Sequence, residues 1–171
     1  MNAEQAKFLA DYYAGVFERE MPTTASVLAA VNQGDRDYKP DPKSRSAWEI
    51  ATHLAYADTW LLQSILDGKF EYNPEAAKKT TAQFKDAEDI AAFYRKTLPD
   101  RLTQLRAAPA ETLVRPLDFY GIMNGPAVTL LTFVQHHSIH HRGQLAAYLR
   151  AMGSKVPNIY GPSADTKPAT T

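Results

Sequence analysis

The sequence predicts an all-α protein built as a four-helix bundle, on three observations. Four stretches repeat apolar side chains at the spacing of three and four residues that lines one face of a helix. Start and stop signals bracket them, with Asn2 and Ser46 as caps and Gly68 and Gly153 as terminators. Strand-like alternation is confined to residues 111–120. With 171 residues the chain can bury a substantial core, and residues 1–171 are expected to form one domain.

The first helix is expected over Ala3 to Val31. Asn2 and Gln5 stand at capping distance, and Phe8, Tyr12 and Val16 share one side. Pro22 lacks an amide hydrogen, so a kink, or a break with a short continuation, is expected there. NQGDRDYKPDPKSRS then reads as a loop, with Tyr38 placed to pin it to the body. Ser46-Ala-Trp-Glu49 is a capping box that opens the second helix, which continues to Gly68. A third helix is expected after Thr80 or Thr81, with Gln83 reciprocating the Thr80 cap. It carries Phe84, Ile90, Phe93, Tyr94, Leu98, Leu102 and Leu105, and Pro99 implies a bend. PAETLVRPLDFYGIMNG, residues 109–125, reads either as partly extended or as a packed loop. The fourth helix opens at Gly125-Pro126, runs to about Met152 and ends at Gly153. Beyond it, Val156, Ile159 and Tyr160 are expected to pack across the bundle end, with the final DTKPATT frayed.

Charge and composition exclude several function classes. The 19 basic and 19 acidic side chains cancel, so no broad field draws the chain to nucleic acid or to an anionic membrane. No cysteine is present, which removes disulfides, thiolate metal ligands and a protein thiol nucleophile. The first residues do not have the basic start and apolar run of a signal peptide, and no apolar stretch approaches the length of a membrane span. A cytoplasmic location is expected.

HHSIHHRGQ, residues 136–144, holds four of the five histidines. At 100° per residue, measured from Leu130, the apolar residues of this helix centre near about 40°. His141 falls at about 20° and His137 at about 340°, both inward, whereas His140 and His136 fall at about 280° and 240°, outward. The inward pair is spaced i, i+4 and can share one ion. Two imidazoles inside a bundle need partners for their ring nitrogens, and a divalent cation provides one. The remaining histidine, His53, sits on the second helix among Ile50, Ala57, Trp60 and Leu61. His53, His137 and His141 are therefore the candidate metal ligands, with zinc or nickel suited to three imidazoles and an open position. The competing reading makes them core residues satisfied by hydrogen bonds.

The neighbours read more plainly. Asp58 lies about 140° round the helix from His53 and reads as a surface charge. Arg142 reads as a surface or salt-bridging residue, Gly143 as a place for another helix to approach, and Gln144 as a partner for a ligating histidine. Ile139 points outward beside His136 and Phe133, where it could meet a second subunit.

ATHLAYAD on the second helix, HHSIHHRGQLAAYLRAMG on the fourth and the tail VPNIYGPSAD together resemble the DinB-like (DinB/YfiT) proteins. The resemblance spans nearly the whole chain. It implies a four-helix bundle of up-down-down-up connectivity, often paired as a homodimer. It also implies a metal triad of one histidine from the second helix and two from the fourth, which fall on His53, His137 and His141. Relatives include thiol-dependent S-transferases and a mycothiol-dependent maleylpyruvate isomerase. The expected function is thus a divalent-metal-dependent enzyme acting on a small-molecule substrate with a low-molecular-weight thiol. A metal-dependent hydrolase is the alternative, although HHSIHH lacks the glutamate that HExxH places beside its ligands. A non-catalytic, metal-stabilised binding module is the third reading.

Overall fold

Asn2 begins the first helix by accepting from the Gln5 amide while the Gln5 side chain accepts from the Asn2 amide, so each satisfies the other's orphan donor. The computed structural model describes residues 1–166. Its long helices are α1 (Ala3–Ala29), α2 (Ala47–Asp67), α4 (Ala87–Ala107) and α6 (Leu131–Ala151). The short helices α3 (Pro74–Thr81) and α5 (Ala110–Val114) and a two-stranded hairpin, β1 (Pro116–Phe119) and β2 (Met123–Pro126), connect them. No helix of the described residues is long and apolar enough to cross a membrane.

The long helices form a four-helix bundle in which α1 and α2 each pack against both α4 and α6. Cross-links fix the directions. Lys7, near the start of α1, donates to the Ala108 carbonyl beyond the end of α4, while Gln33, after α1, donates to the Lys85 carbonyl before α4. These two helices are therefore antiparallel. Tyr13 bonds Thr132 and Thr24 bonds Arg142, so α1 and α6 run parallel. His53 stacks against His141, and Asp58, farther along α2, meets His137, earlier on α6, making that pair antiparallel. The connectivity is up-down-down-up.

Packing on α1 differs from the expected face. Ala6, Ala10, Ala14 and Phe17 fill the contact, whereas Phe8 and Tyr12 are 68% and 54% exposed and only Val16 of the expected trio is buried. Alanines recurring every fourth residue let neighbouring backbones approach closely, and this stripe, not the bulkier aromatic one, faces the core. Pro22 does not break α1: the helix runs through it, losing only the hydrogen bond its missing amide would have made. Pro99 likewise lies within an unbroken α4.

Two starts are displaced from their expected positions. The third long helix begins at Ala87, capped by Asp86 accepting from the Asp89 amide, with Glu88 and Asp89 favouring the positive end of the helix. The Thr80 hydroxyl instead donates back to the Ala76 carbonyl inside α3, which Asn73 caps and Pro74 opens. Gly125 and Pro126 belong to β2, and Ala127–Leu130 make a 3-10 turn before α6. Residues 111–120 resolve into α5, β1 and the start of the hairpin turn. Tyr120 and Gly121 both have positive φ, the I′ pattern that suits the twist of a hairpin, and the Asp118 carboxylate accepts from the Gly121 amide.

The ends of α2 and α6 follow the expected signals. Gly68 has φ +78, and an added Cβ would stand 2.1 Å from the Arg115 guanidinium, which donates to the Ile65 carbonyl. Gly153 closes α6 by donating to the Arg150 carbonyl while Ser154 donates to Leu149, a Schellman arrangement. Val156 and Ile159 pack on the core. Asp165 is not frayed: it accepts from the Val156 amide and pairs with Arg150. Residues 167–171 of the expected frayed end lie outside the described residues.

Candidate metal centre

The second and sixth helices cross where α2 places His53 inward two turns after its Ser46 cap. From α6, His137 and His141 project toward it one turn apart. One ligand atom from each of the three rings lies within 4.8 Å of the other two. The His53 and His137 Nε2 atoms are 3.1 Å apart, and the rings meet edge to face, 4.5 to 5.1 Å between centroids. His136 and His140 are exposed, as their direction on the wheel requires.

The outer nitrogens of the two α6 histidines are occupied. His137 Nδ1 faces the Asp58 carboxylate at 3.4 Å, a long contact, and His141 Nδ1 faces the Gln144 side-chain oxygen at 3.2 Å. Both acceptors hold the proton on Nδ1, which leaves the Nε2 lone pairs of His137 and His141 directed into the cluster. Burial, then the positive charge of Arg45 and the neighbouring imidazoles, pushes the His53 pKa down to about 3. His141 falls to about 4, chiefly through burial. Neutral imidazoles are the form that binds metal.

Asp58 is the principal correction to the sequence reading. It is fully buried, not a surface charge, and accepts a 2.9 Å hydrogen bond from Tyr94. Almost every direction around α2 is buried because α4 and α6 flank it, so about 140° from His53 still points inward. Burial, and then the Asp58 charge, holds the Tyr94 phenol well above its ordinary pKa, while hydrogen bonding with Ser138 and Thr24 pulls the other way. Arg142 is also buried, at 1% exposure, pairing with Glu20 at 2.5 Å and donating to Thr24 and Tyr160. A polar seam from all four long helices thus runs from Glu20 and Arg142 through Thr24, Tyr94 and Asp58 to His137. Among the described residues, Gly143 faces open space, where an added Cβ would meet nothing within 4 Å, and no helix approaches it.

A cleft of about 260 Å³ opens beside His53 and His137. Trp60, Tyr72, Phe119 and Phe133 line it, and Arg45 stands at its edge. The hairpin supplies Phe119, whose ring lies 4.8 Å from both Phe70 and Phe133.

Residues 6–169 match the profile of the DinB family. The chain belongs to the DinB family. It is 41% identical over 157 residues to the uncharacterized protein YrdA of Bacillus subtilis (strain 168), covering 91% of this chain and 90% of that protein. A crystal structure of a DinB-like protein, YjoA, from Bacillus subtilis superposes with a TM-score of 0.67 at 22% identity, covering 89% of this chain and 99% of that one. A DinB-like protein from Bacillus cereus ATCC 10987 gives the same TM-score at 24% identity, over 86% and 95% of the two chains. At these identities the solved structures establish a shared fold.

Membership agrees with the bundle and its connectivity. The DinB fold brings His53, His137 and His141 together as the sequence directed. What periodicity missed is the Asp58–Tyr94 support behind His137. The available signal was a carboxylate on a helix with scarcely any polar face, ATHLAYADTWLL, where a charge has little solvent to reach.

Proposed function

We propose that His53, His137 and His141 bind a divalent cation, zinc or nickel, and that the chain is a metal-dependent enzyme for a small-molecule substrate. The carrying observation is the convergence of three imidazoles, two of them with outer nitrogens already engaged by Asp58 and Gln144, beside an open cleft. Two nitrogens bound at about 2.0–2.1 Å to a tetrahedral ion stand roughly 3.3 Å apart. The 3.1 Å separation of the His53 and His137 Nε2 atoms is close to that value. A bound divalent ion would supply a positive centre that lowers the pKa of a water or thiol at the open position. The protein's part is to orient His137 through Asp58 and His141 through Gln144, and to hold substrate between aromatic walls sheltered from water.

An S-transferase using a low-molecular-weight thiol is favoured over a hydrolase because, among the described residues, no carboxylate lines the cleft beside the cluster. Asp58 is committed to Tyr94 and His137. Glu49, in the adjoining cleft, accepts from the Ser46 amide and pairs with Lys39. The cleft itself favours an enzyme over a binding module with a closed coordination shell. A cytoplasmic location suits this reading, since small thiols are kept reduced there. Family resemblance supports a homodimer, and the exposed Phe8 and Tyr12 offer apolar surface for such a contact.

The test is elemental analysis of the purified protein, followed by thermal unfolding with and without chelator. A ligand at a hundredfold excess over its Kd stabilises by about 3 kcal/mol, which is roughly 5–10 °C in a chain of this size. Chelation should remove that increment from the wild type and change nothing in His141→Ala. Transfer of small thiols to electrophiles is then assayed with the metal-loaded protein. Absence of metal after reconstitution, with a melting temperature indifferent to chelator, overturns the proposal.

A further inference from the structure

Among the described residues, Arg45 is the one charged side chain lining the aromatic cleft beside the histidines, and it also lines a second cleft of about 290 Å³ that shares His53, Tyr56 and Tyr72. It therefore stands where the two depressions join. Arg45 is exposed, and among the described residues no hydrogen bond or ion pair engages its guanidinium, so it is free to meet a ligand. The acid nearest in sequence, Glu49, is held elsewhere: its carboxylate takes the Ser46 amide at 2.6 Å and lies 3.5 Å from Lys39.

The surroundings restrict what this cation can meet. Trp60 and Tyr72 stand edge to face at 5.4 Å, Trp60 and Phe70 at 6.0 Å, and Phe70, Phe119 and Phe133 follow at 4.8 Å spacings. These rings form a continuous apolar wall that ends at His137. A flat apolar body fits against such a wall, and the volume is at the small end for ligand pockets. The guanidinium is planar, permanently charged and weakly hydrated, so it pairs in bidentate fashion with a planar carboxylate. It lines both clefts together with His53, which places it beside the cluster.

We propose that this cleft binds a small aromatic carboxylate, its ring against Trp60, Phe119 and Phe133 and its acid group on Arg45. As a statement about substrate class this rests on the proposed enzymatic function. As a statement about binding it does not require a metal. Arg45 is a binding residue here and has no part in holding the cation.

The experiment uses chelator-treated, metal-free full-length protein titrated with 3-phenylpropionate and, separately, with its neutral amide, followed by calorimetry and by the Trp60 indole resonance. The acid should bind and shift that resonance, with the amide roughly tenfold weaker, the factor expected from one charge-assisted hydrogen bond. Arg45→Gln should abolish the difference while leaving the amide unaffected, and Arg45→Lys should restore part of it. Equal affinity for acid and amide, an unchanged acid affinity in Arg45→Gln, or no binding tighter than about 10 mM each overturns the proposal. Its failure is separable from that of the metal reading. Acid binding without chelator sensitivity sinks only the metal, and chelator sensitivity without acid binding sinks only the carboxylate site.

Discussion

Replacing Tyr94 by Phe removes one oxygen atom from the centre of the bundle and leaves the packing intact. The phenol is 1% exposed and donates to a fully buried carboxylate at 2.9 Å. Asp58 cannot recover that bond from water, so the loss is that of a hydrogen bond to a charged group, about 1.5–3 kcal/mol. At 2–4 °C per kcal/mol for a chain of this size, a loss of about 2 kcal/mol lowers the melting temperature by roughly 4–8 °C. The cause is isolated by a double-mutant cycle with Asp58→Ala, measured by urea unfolding of metal-free protein. If the two groups act through each other, their effects fall short of additivity by more than about 1 kcal/mol. Additive effects would refute the argument, because the hydroxyl would then be serving Ser138 or Thr24 and not the carboxylate. Metal affinity gives a second readout: loosening Asp58 behind His137 should weaken binding by roughly tenfold or more, the usual consequence of removing support from a ligating histidine.

Other expectations follow from the same structure. In metal-free protein His53 and His141 have pKa values near 3 and 4 against an ordinary 6.5, so the unfolded chain takes up protons the folded chain refuses. Stability is full above about pH 6.5 and falls as pH drops toward 4. His53→Gln should flatten the slope between about pH 6.5 and 4.5, above the ordinary carboxylate range, and an unchanged slope would remove burial of His53 from the account. Ser46→Ala deletes the acceptor for the Glu49 amide and should cost about 1 kcal/mol in chemical unfolding. Gly68→Ala meets both a left-handed backbone and the Arg115 guanidinium, and should destabilise by about 1 kcal/mol or more; a neutral result would mean that Arg115 moves aside freely.

Local signals were the most readable part of the chain. The Asn2/Gln5 and Ser46/Glu49 boxes and the Gly68 and Gly153 ends act within four or five residues, so they operate as soon as a turn forms. The start of α4 was misplaced because two caps compete in one short stretch. Thr80 precedes a plausible Gln83, but Asn73-Pro74 had already begun α3, which consumes Thr80 as an interior residue. Pro22 does not end α1, since a single missing amide does not stop a helix held on two sides by α4 and α6.

The sequence by itself determined the four long helices, the Asn2 and Ser46 caps, the Gly68 and Gly153 ends and which two of four clustered histidines turn inward, because these follow from the 3.6-residue period and from contacts within a turn. The meeting of His53 with His137 and His141 needed the family's connectivity or the fold itself, since 84 residues separate His53 from His137. Only the tertiary structure decided that Asp58 and Arg142 are interior and that Arg45 edges an aromatic cleft. A helical wheel gives a direction, whereas burial depends on how many neighbours stand in that direction. Around α2 and α6 there are enough that charged side chains lie inside, each held by a partner from another helix.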